Sequence, residues 1–329
     1  MLSSTCLTAL LELFAKTMGV VMQKRFLTSR TINIKCRPMV FVTFFLSVAL
    51  LSLLALSPSA SAQSSGVDSY AAGIDTCSGS MWTSTNLQDF WSYSPYWSLG
   101  VYLGGSGGAS VGCNDSSYLS MVPTAMSMGW AIEPYWYGPQ LPYSTCQNQY
   151  NYPSTISLDT ATAYSQGQTS ASHAISAAHA AGLPSNAPIY YDLEQVLSNS
   201  GCLAAAQAFI SGWDSGLGGY ISGLYGSTCG SQLSAFSGIS PVPAVIAPAD
   251  NLDDPTGVYG LQCLSDGLWN SNQRIHQLAN TGGGGYQPQT FSYNGSTAIT
   301  VDEDCIDGWI VAKSPGVSPN NCNFYAGNA

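Results

Sequence analysis

"PIYYDLE", Pro188 to Glu194, has the composition of a buried β-strand and ends in two carboxylates. A proline start followed by Ile, Tyr, Tyr and Leu reads as strand. Alternation of faces places Tyr190, Asp192 and Glu194 on one side and Tyr191 and Leu193 on the other. Burying an unpaired carboxylate is costly, and only 8% of this chain is charged. Two acids on one face of a core strand therefore mark a strand end that opens onto something polar.

Working outward, similar apolar runs recur on both sides. Strand candidates are Ala71 to Cys77, Ser98 to Gly105, Ala131 to Gln140, Tyr220 to Ser227, Ala244 to Asp250, Gln273 to Ala279 and Ser296 to Asp304. With the opening stretch they make eight strands. Helical patterns fall between several of them, at 84–93, 117–129, 158–183 and 202–219. In the last, Leu203, Ala206, Phe209, Ile210 and Trp213 form one apolar face. Strands alternating with helices predict a parallel sheet. Eight units in a chain of this length predict a single-domain α/β fold of the (β/α)8 TIM-barrel type. The competing open doubly wound sheet has no G-x-G-x-x-G to support its dinucleotide version. The glycine run Gly282 to Gly285 lacks a P-loop lysine and reads as a loop.

The N-terminus stands apart. Met39 to Leu56 is unbroken apolar sequence, preceded by Lys24, Arg25, Arg30, Lys35 and Arg37 and followed by Ala60-Ser61-Ala62. That order predicts a signal peptide over residues 1–62, cleaved after Ala62, with an uncleaved anchor as the alternative. A Ser-rich linker is expected over residues 63–70, and the barrel domain over residues 71–329. The expected mature chain has 267 of the 329 residues and keeps only Arg274 and Lys313 against seventeen acids, a net charge of −15. Such a surface has no footprint for nucleic acid or anionic lipid. So poor in ionisable groups, it suits an acidic or otherwise harsh external medium. Eight cysteines remain after the leader, which in an exported chain reads as up to four disulfides with open connectivity. No C-x-x-C occurs and only three histidines are present. No metal and no cofactor are expected. A monomer is.

In a parallel barrel the site lies at the C-terminal ends of the strands. Asp75 falls near the end of the first strand, Asp192 and Glu194 at the end of the fourth, and Asp302 and Asp304 at the end of the eighth. Two residues along a strand span about 6.6 Å, a separation on the scale of the paired carboxyls of glycosidases. Neighbouring carboxylates can hold one of the group protonated, as a general acid requires. The bland alternative makes Asp192 and Glu194 helix caps or loop-amide acceptors. Tyr135, Trp136, Tyr137, Tyr190 and Tyr225 lie near strand ends, where rings stack on sugars or pack the rim. Gln277 and Asp304 complete the expected substrate contacts. Glu133 ranks below Asp75 as a further carboxylate, and Arg274 is expected to pair with an acid. Asn114 and Asn294 open glycosylation sequons, of use only in a eukaryotic secretory route.

"GIDTC", "IYYDLE", "GYISGLYGS", "RIHQL" and "VDEDCIDG" occur in an order that resembles an exported bacterial family, the glycoside-hydrolase-like domain of unknown function 1906. The resemblance covers most of residues 70–310. That family is similar to the family 25 lysozymes, which implies a (β/α)8-like barrel and muramidase-type chemistry. By this similarity Asp75 matches the first-strand carboxylate, Asp192 and Glu194 the D-x-E pair, and Asp302 the aspartate near the last strand. Glu194 would be the acid and Asp192 the stabiliser. Where relatives carry a W-I-A-x-W strand this chain has "AVIAPAD", and "HQL" stands where an aromatic often follows the glutamine. The resemblance implies a cell-wall or other extracellular polysaccharide as partner. It also leaves open a non-catalytic glycan-binding or envelope-structural role.

Overall fold

The computed structural model describes residues 63–66 and 71–312, apart from 109–112, 114–115, 149, 195, 197–198, 231–232, 250–256, 271 and 279–288, together with Cys322. The proposed leader and the run Gly282 to Gly285 lie outside the described residues, as does Asn114. Strands, in chain order, are β1 (Gln63–Gly66), β2 (Ala71–Asp75), β3 (Ser98–Tyr102), β4 (Ala131–Trp136), β5 (Pro188–Asp192), β6 (Ile221–Ser227), β7 (Val245–Ala249), β8 (Arg274–Gln277), β9 (Gln289–Phe291), β10 (Ile299–Asp307) and β11 (Trp309–Ala312). The α-helices are α1 (Ser84–Tyr93), α2 (Val122–Met128), α3 (Thr160–Ala180) and α4 (Ser200–Gly216).

Eight of the strands close on themselves in the order β2-β3-β4-β5-β6-β7-β8-β10, with β10 returning to β2. All eight correspond to runs expected from the sequence. Neighbours from β2 to β8 pair in parallel. The eighth strand departs from expectation, because β10 pairs antiparallel with both β8 and β2. Its direction follows from a hairpin. Strand β9 pairs antiparallel with β10 through a turn at Asn294-Gly295, whose φ angles are 51° and 78°. Asn-Gly at two positive-φ positions is the favoured chemistry for such a turn. An antiparallel neighbour needs no helical crossover, and among the described residues no α-helix follows α4. Gln63–Gly66, within the stretch expected as a linker, pairs as β1 with β11.

The alternation of faces sorts the core into two parts on either side of the sheet. Leu99, Val101, Ile132, Ile189, Tyr191, Leu224 and Ile246 point outward and pack with helix residues such as Phe90, Ala174, Phe209 and Trp213. Ala71, Ala131, Tyr135, Tyr190, Val245, Ala247, Ile275 and Ile306 fill the barrel. Helix starts are set by side chains that accept otherwise orphaned amides. Thr83 accepts from Asn86 N at 3.2 Å, Asp159 from Thr162 N at 2.9 Å, and Asn199 from Gly201 N at 2.9 Å. Four disulfides join Cys77–Cys113, Cys146–Cys202, Cys229–Cys263 and Cys305–Cys322. Among the described residues no helix is long and apolar enough to cross a membrane.

Candidate active site

Strand register brings the acids together. Asp302 of β10 lies opposite Asp75 of β2, and Asp304 lies opposite both Gly73 and Gln277. Because β10 runs antiparallel, Asp302 is the outer of the pair and Asp304 the deeper one, the reverse of what a parallel eighth strand predicts. Asp304, expected as a substrate contact, is fully buried in the barrel beneath Asp302. Glu133 of β4 is also fully buried. An added Cβ at Gly73 would collide with Ser98 and stand 2.6 Å from Glu133 Oε1, and one at Gly100 would collide with Asp75. The two glycines make room inside the barrel for two carboxylates.

The end of β5 is held by one side chain. Gln140, buried at 1% exposure, donates from Nε2 to the Asp192 carbonyl at 2.6 Å. Its Oε1 accepts from the Glu194 amide at 3.0 Å. The strand proper stops at Asp192, and Gln140 continues its hydrogen bonding far enough to aim Glu194. Leu193 N still reaches Tyr225 O of β6 at 3.0 Å. Gln140 was invisible as a site residue in the sequence, since its partners come from 52 and 54 positions away.

Asp75 is the common neighbour of the group. Tyr102 donates to its Oδ1 at 3.3 Å and Gln277 Nε2 to its Oδ2 at 2.5 Å. Gln277 in turn accepts from the Tyr225 hydroxyl at 2.8 Å. Burial raises the Asp75 pKa to about 6, against the lowering effect of the hydrogen bonds from Gln277 and Tyr102. Burial, then the charge of Asp75, raises Asp302 to about 9. Burial also lifts Glu133 to about 8, with Asp75 adding to the rise and Ser98 and Tyr135 opposing it. Asp192 stands well above the ordinary carboxylate range through burial and then the charges of Glu194 and Asp75. Asp304 does so through burial, then Asp75 and Glu133. Glu194 is raised by burial and by Asp75, and a hydrogen bond from Tyr137 opposes the rise. In a cluster of like charges the group with most donors ionises first and keeps the rest protonated. Here that group is Asp75. Among the described residues no lysine or arginine relieves the repulsion, because Arg274 points away. Its guanidinium holds the carbonyls of Val258, Ser265, Leu268 and Trp269 and pairs with Asp266 at 3.4 Å, as the sequence suggested.

The aromatic residues divide by parity. Tyr135 and Tyr190 face the barrel interior, where Tyr135 donates to Glu133 Oε2 at 3.1 Å and Tyr190 to Trp309 O at 2.7 Å. Both are buried floor. Tyr225 also faces inward, beside Gln277. Trp136 belongs to the opposite face and packs in the outer core, so it is not brought to the carboxylates. Tyr102, which no sequence signal singled out, and Tyr137, one of the strand-end aromatics, take that place. Among the described residues no cluster of His, Cys, Asp and Glu suits a metal ion.

Among solved structures the chain is similar to the Tat-secreted protein Rv2525c of Mycobacterium tuberculosis in complex with L-tartrate, at 16% identity and TM-score 0.46, covering 72% of this chain and 95% of that one. It is also similar to the glycosyl hydrolase 25 GHIP of Streptococcus pneumoniae, at 13% identity and TM-score 0.43 over 72% and 86% of the two chains. The catalytic domain of endolysin ply40, from bacteriophage P40 of Listeria monocytogenes, follows at 13% identity and TM-score 0.41, over 72% and 92%. A search of the curated proteins finds none that matches. The family model for the Rv2525c-like, glycoside hydrolase-like domain matches residues 89–306, the span from α1 to the inner acids of β10, and the chain belongs to that family.

Proposed function

We propose that this domain is an exported glycoside hydrolase acting on cell-wall or other extracellular polysaccharide. Glu194 is the proton donor and Asp75 the carboxylate that carries the charge. The observation that supports this reading is the convergence of Asp75, Asp192, Glu194 and Asp302 around one ionisable centre, with no cation beside it among the described residues. Glu194 gives its proton to the glycosidic oxygen as the bond from that oxygen to the anomeric carbon breaks. The positive charge that develops on the sugar is stabilised by the Asp75 carboxylate, and water adds to the anomeric carbon as its proton passes to the Glu194 carboxylate, which restores the acid. The neighbouring Asp302, kept neutral, donates a hydrogen bond to the sugar, and the more deeply set Asp192 backs Glu194. Gln277 and Tyr102 hold Asp75, and Tyr225 holds Gln277. The leader-like N-terminus supports export of a monomeric protein, and the expected net charge of −15 suits a neutral rather than an anionic glycan.

Turbidity clearing of peptidoglycan by the wild-type chain, with Glu194→Gln beside it, tests this reading. A positioned general acid contributes about 100- to 10,000-fold, so the variant is expected to lose at least the lower figure. Equal clearing by the variant would remove Glu194 from its role. A second reading, a glycan-binding module without catalysis, is favoured by the depth of two of the acids: Asp75 and Asp192 are each 1% exposed. Glycan pull-down without hydrolysis by wild type between acid and neutral pH would decide for it.

A further inference from the structure

The segment between β4 and α3 is built in a way that the carboxylate site does not require. Four ring contacts run from the barrel interior to the surface. Tyr135 stacks on Tyr102 at 5.5 Å, Tyr102 meets Tyr137 at 6.5 Å, Tyr137 meets Tyr152 at 6.0 Å, and Tyr152 meets Tyr150 at 5.9 Å. The hydroxyls of Tyr137 and Tyr152 are 2.8 Å apart, and Tyr137 hydrogen-bonds Glu194. The ladder thus begins at Asp75 and Glu194 and ends at Tyr150, which is 49% exposed.

Its outer end is rigidly held. Gln147 is buried and bonds the Leu141 carbonyl at 3.2 Å. It also donates to the Tyr150 carbonyl and accepts from the Tyr150 amide at 3.1 Å. Cys146, beside it, is tied to Cys202 at the start of α4. With the peptide groups on both sides of Tyr150 hydrogen-bonded, the backbone that carries its half-exposed ring is ordered before any ligand arrives, which lowers the cost of binding there. No described lysine or arginine stands nearby to attract an anion. The flat apolar face of a pyranose fits such a ring.

We propose that Tyr150 is a stacking platform for a further sugar ring of the same glycan chain, at the outer end of the tyrosine run that leads from Glu194. This inference rests on the glycan reading of the carboxylate site but not on catalysis there. The test uses the Glu194→Gln protein as parent, so that ligands stay intact, and calorimetric titration with β-1,4-linked N-acetylglucosamine oligomers from disaccharide to hexasaccharide. The affinity of the parent is expected to rise with oligomer length, and Tyr150→Ala to remove about tenfold from the long oligomers while leaving the disaccharide unchanged. Tyr150→Trp is expected to keep the gain, and circular dichroism of each variant checks the fold. Unchanged length dependence in Tyr150→Ala overturns the platform, as does failure of the parent to bind any oligomer. Separate assay of wild type for hydrolysis distinguishes the two ideas: binding with this pattern but no cleavage refutes the hydrolase and retains the platform.

Discussion

Asp214, outside the barrel, offers the clearest test of the electrostatics. It lies in the last turn of α4, where the helix C-terminus disfavours an anion. Its Oδ1 accepts a hydrogen bond from Ser222 of β6. Burial raises its pKa from 3.8 to about 7, with the Ser222 bond acting against the rise. A carboxyl with a raised pKa in the folded chain binds its proton more tightly there than in the unfolded chain. Its stabilising contribution is complete below the unfolded value of 3.8 and is lost as pH climbs through about 7. At about 1.36 kcal/mol per pH unit the gap is worth about 4 kcal/mol at most. Asp214 is partly exposed, and solvent screening brings the expectation to about 2 kcal/mol. Asp214→Asn keeps the acceptor oxygen for Ser222 and cannot ionise. Thermal unfolding by circular dichroism, disulfides intact, should find the variant within error of wild type near pH 4. Near pH 7.5 it should be more stable by about 2 kcal/mol, or roughly 4–8 °C. A difference that stays constant between these pH values would refute the argument, because only ionisation of Asp214 separates them.

The same reasoning applies to the site. Asp75, near 6, must be ionised for the proposed chemistry, so the rate on glycan should fall on the acid side of about pH 6. Asp75→Asn should abolish that limb along with most activity; a limb that survives in the residual rate assigns it elsewhere. Gln140→Leu removes both hydrogen bonds at the end of β5, one to the Asp192 carbonyl and one from the Glu194 amide. A loss of about 2–4 kcal/mol in unfolding free energy is expected, with kcat falling more than KM rises because Glu194 is misaimed. Gln140→Glu, which keeps one acceptor for the Glu194 amide, should recover part of both.

Much of this molecule was legible in the chain. Eight apolar runs, their spacing and the alternation of inward and outward residues identified the barrel strands, since burial on both faces of a closed sheet leaves a strong local imprint. The same parity set Tyr190, Asp192 and Glu194 on one face and separated Tyr135 from Trp136, although both aromatics had been expected at the site. The direction of β10 was encoded too, in the Asn294-Gly295 turn, but those residues read equally well as part of a sequon. Reversing that strand exchanged the depths of Asp302 and Asp304.

What the chain could not disclose depends on partners distant in sequence. Gln140 aims Glu194 across 54 positions and Gln277 holds Asp75 across 202. The disulfide partners, open among eight cysteines, were decided only when folding brought their loops together. The ionisation order of the carboxylates arises from burial, from donors and from each other's fields, none of which exists before the barrel closes. Local composition and periodicity, acting through short-range burial, determined the strands and which side chains enter the barrel. The closed tertiary structure alone decided which of those acids keeps its charge, because that choice depends on distance through space and the loss of water.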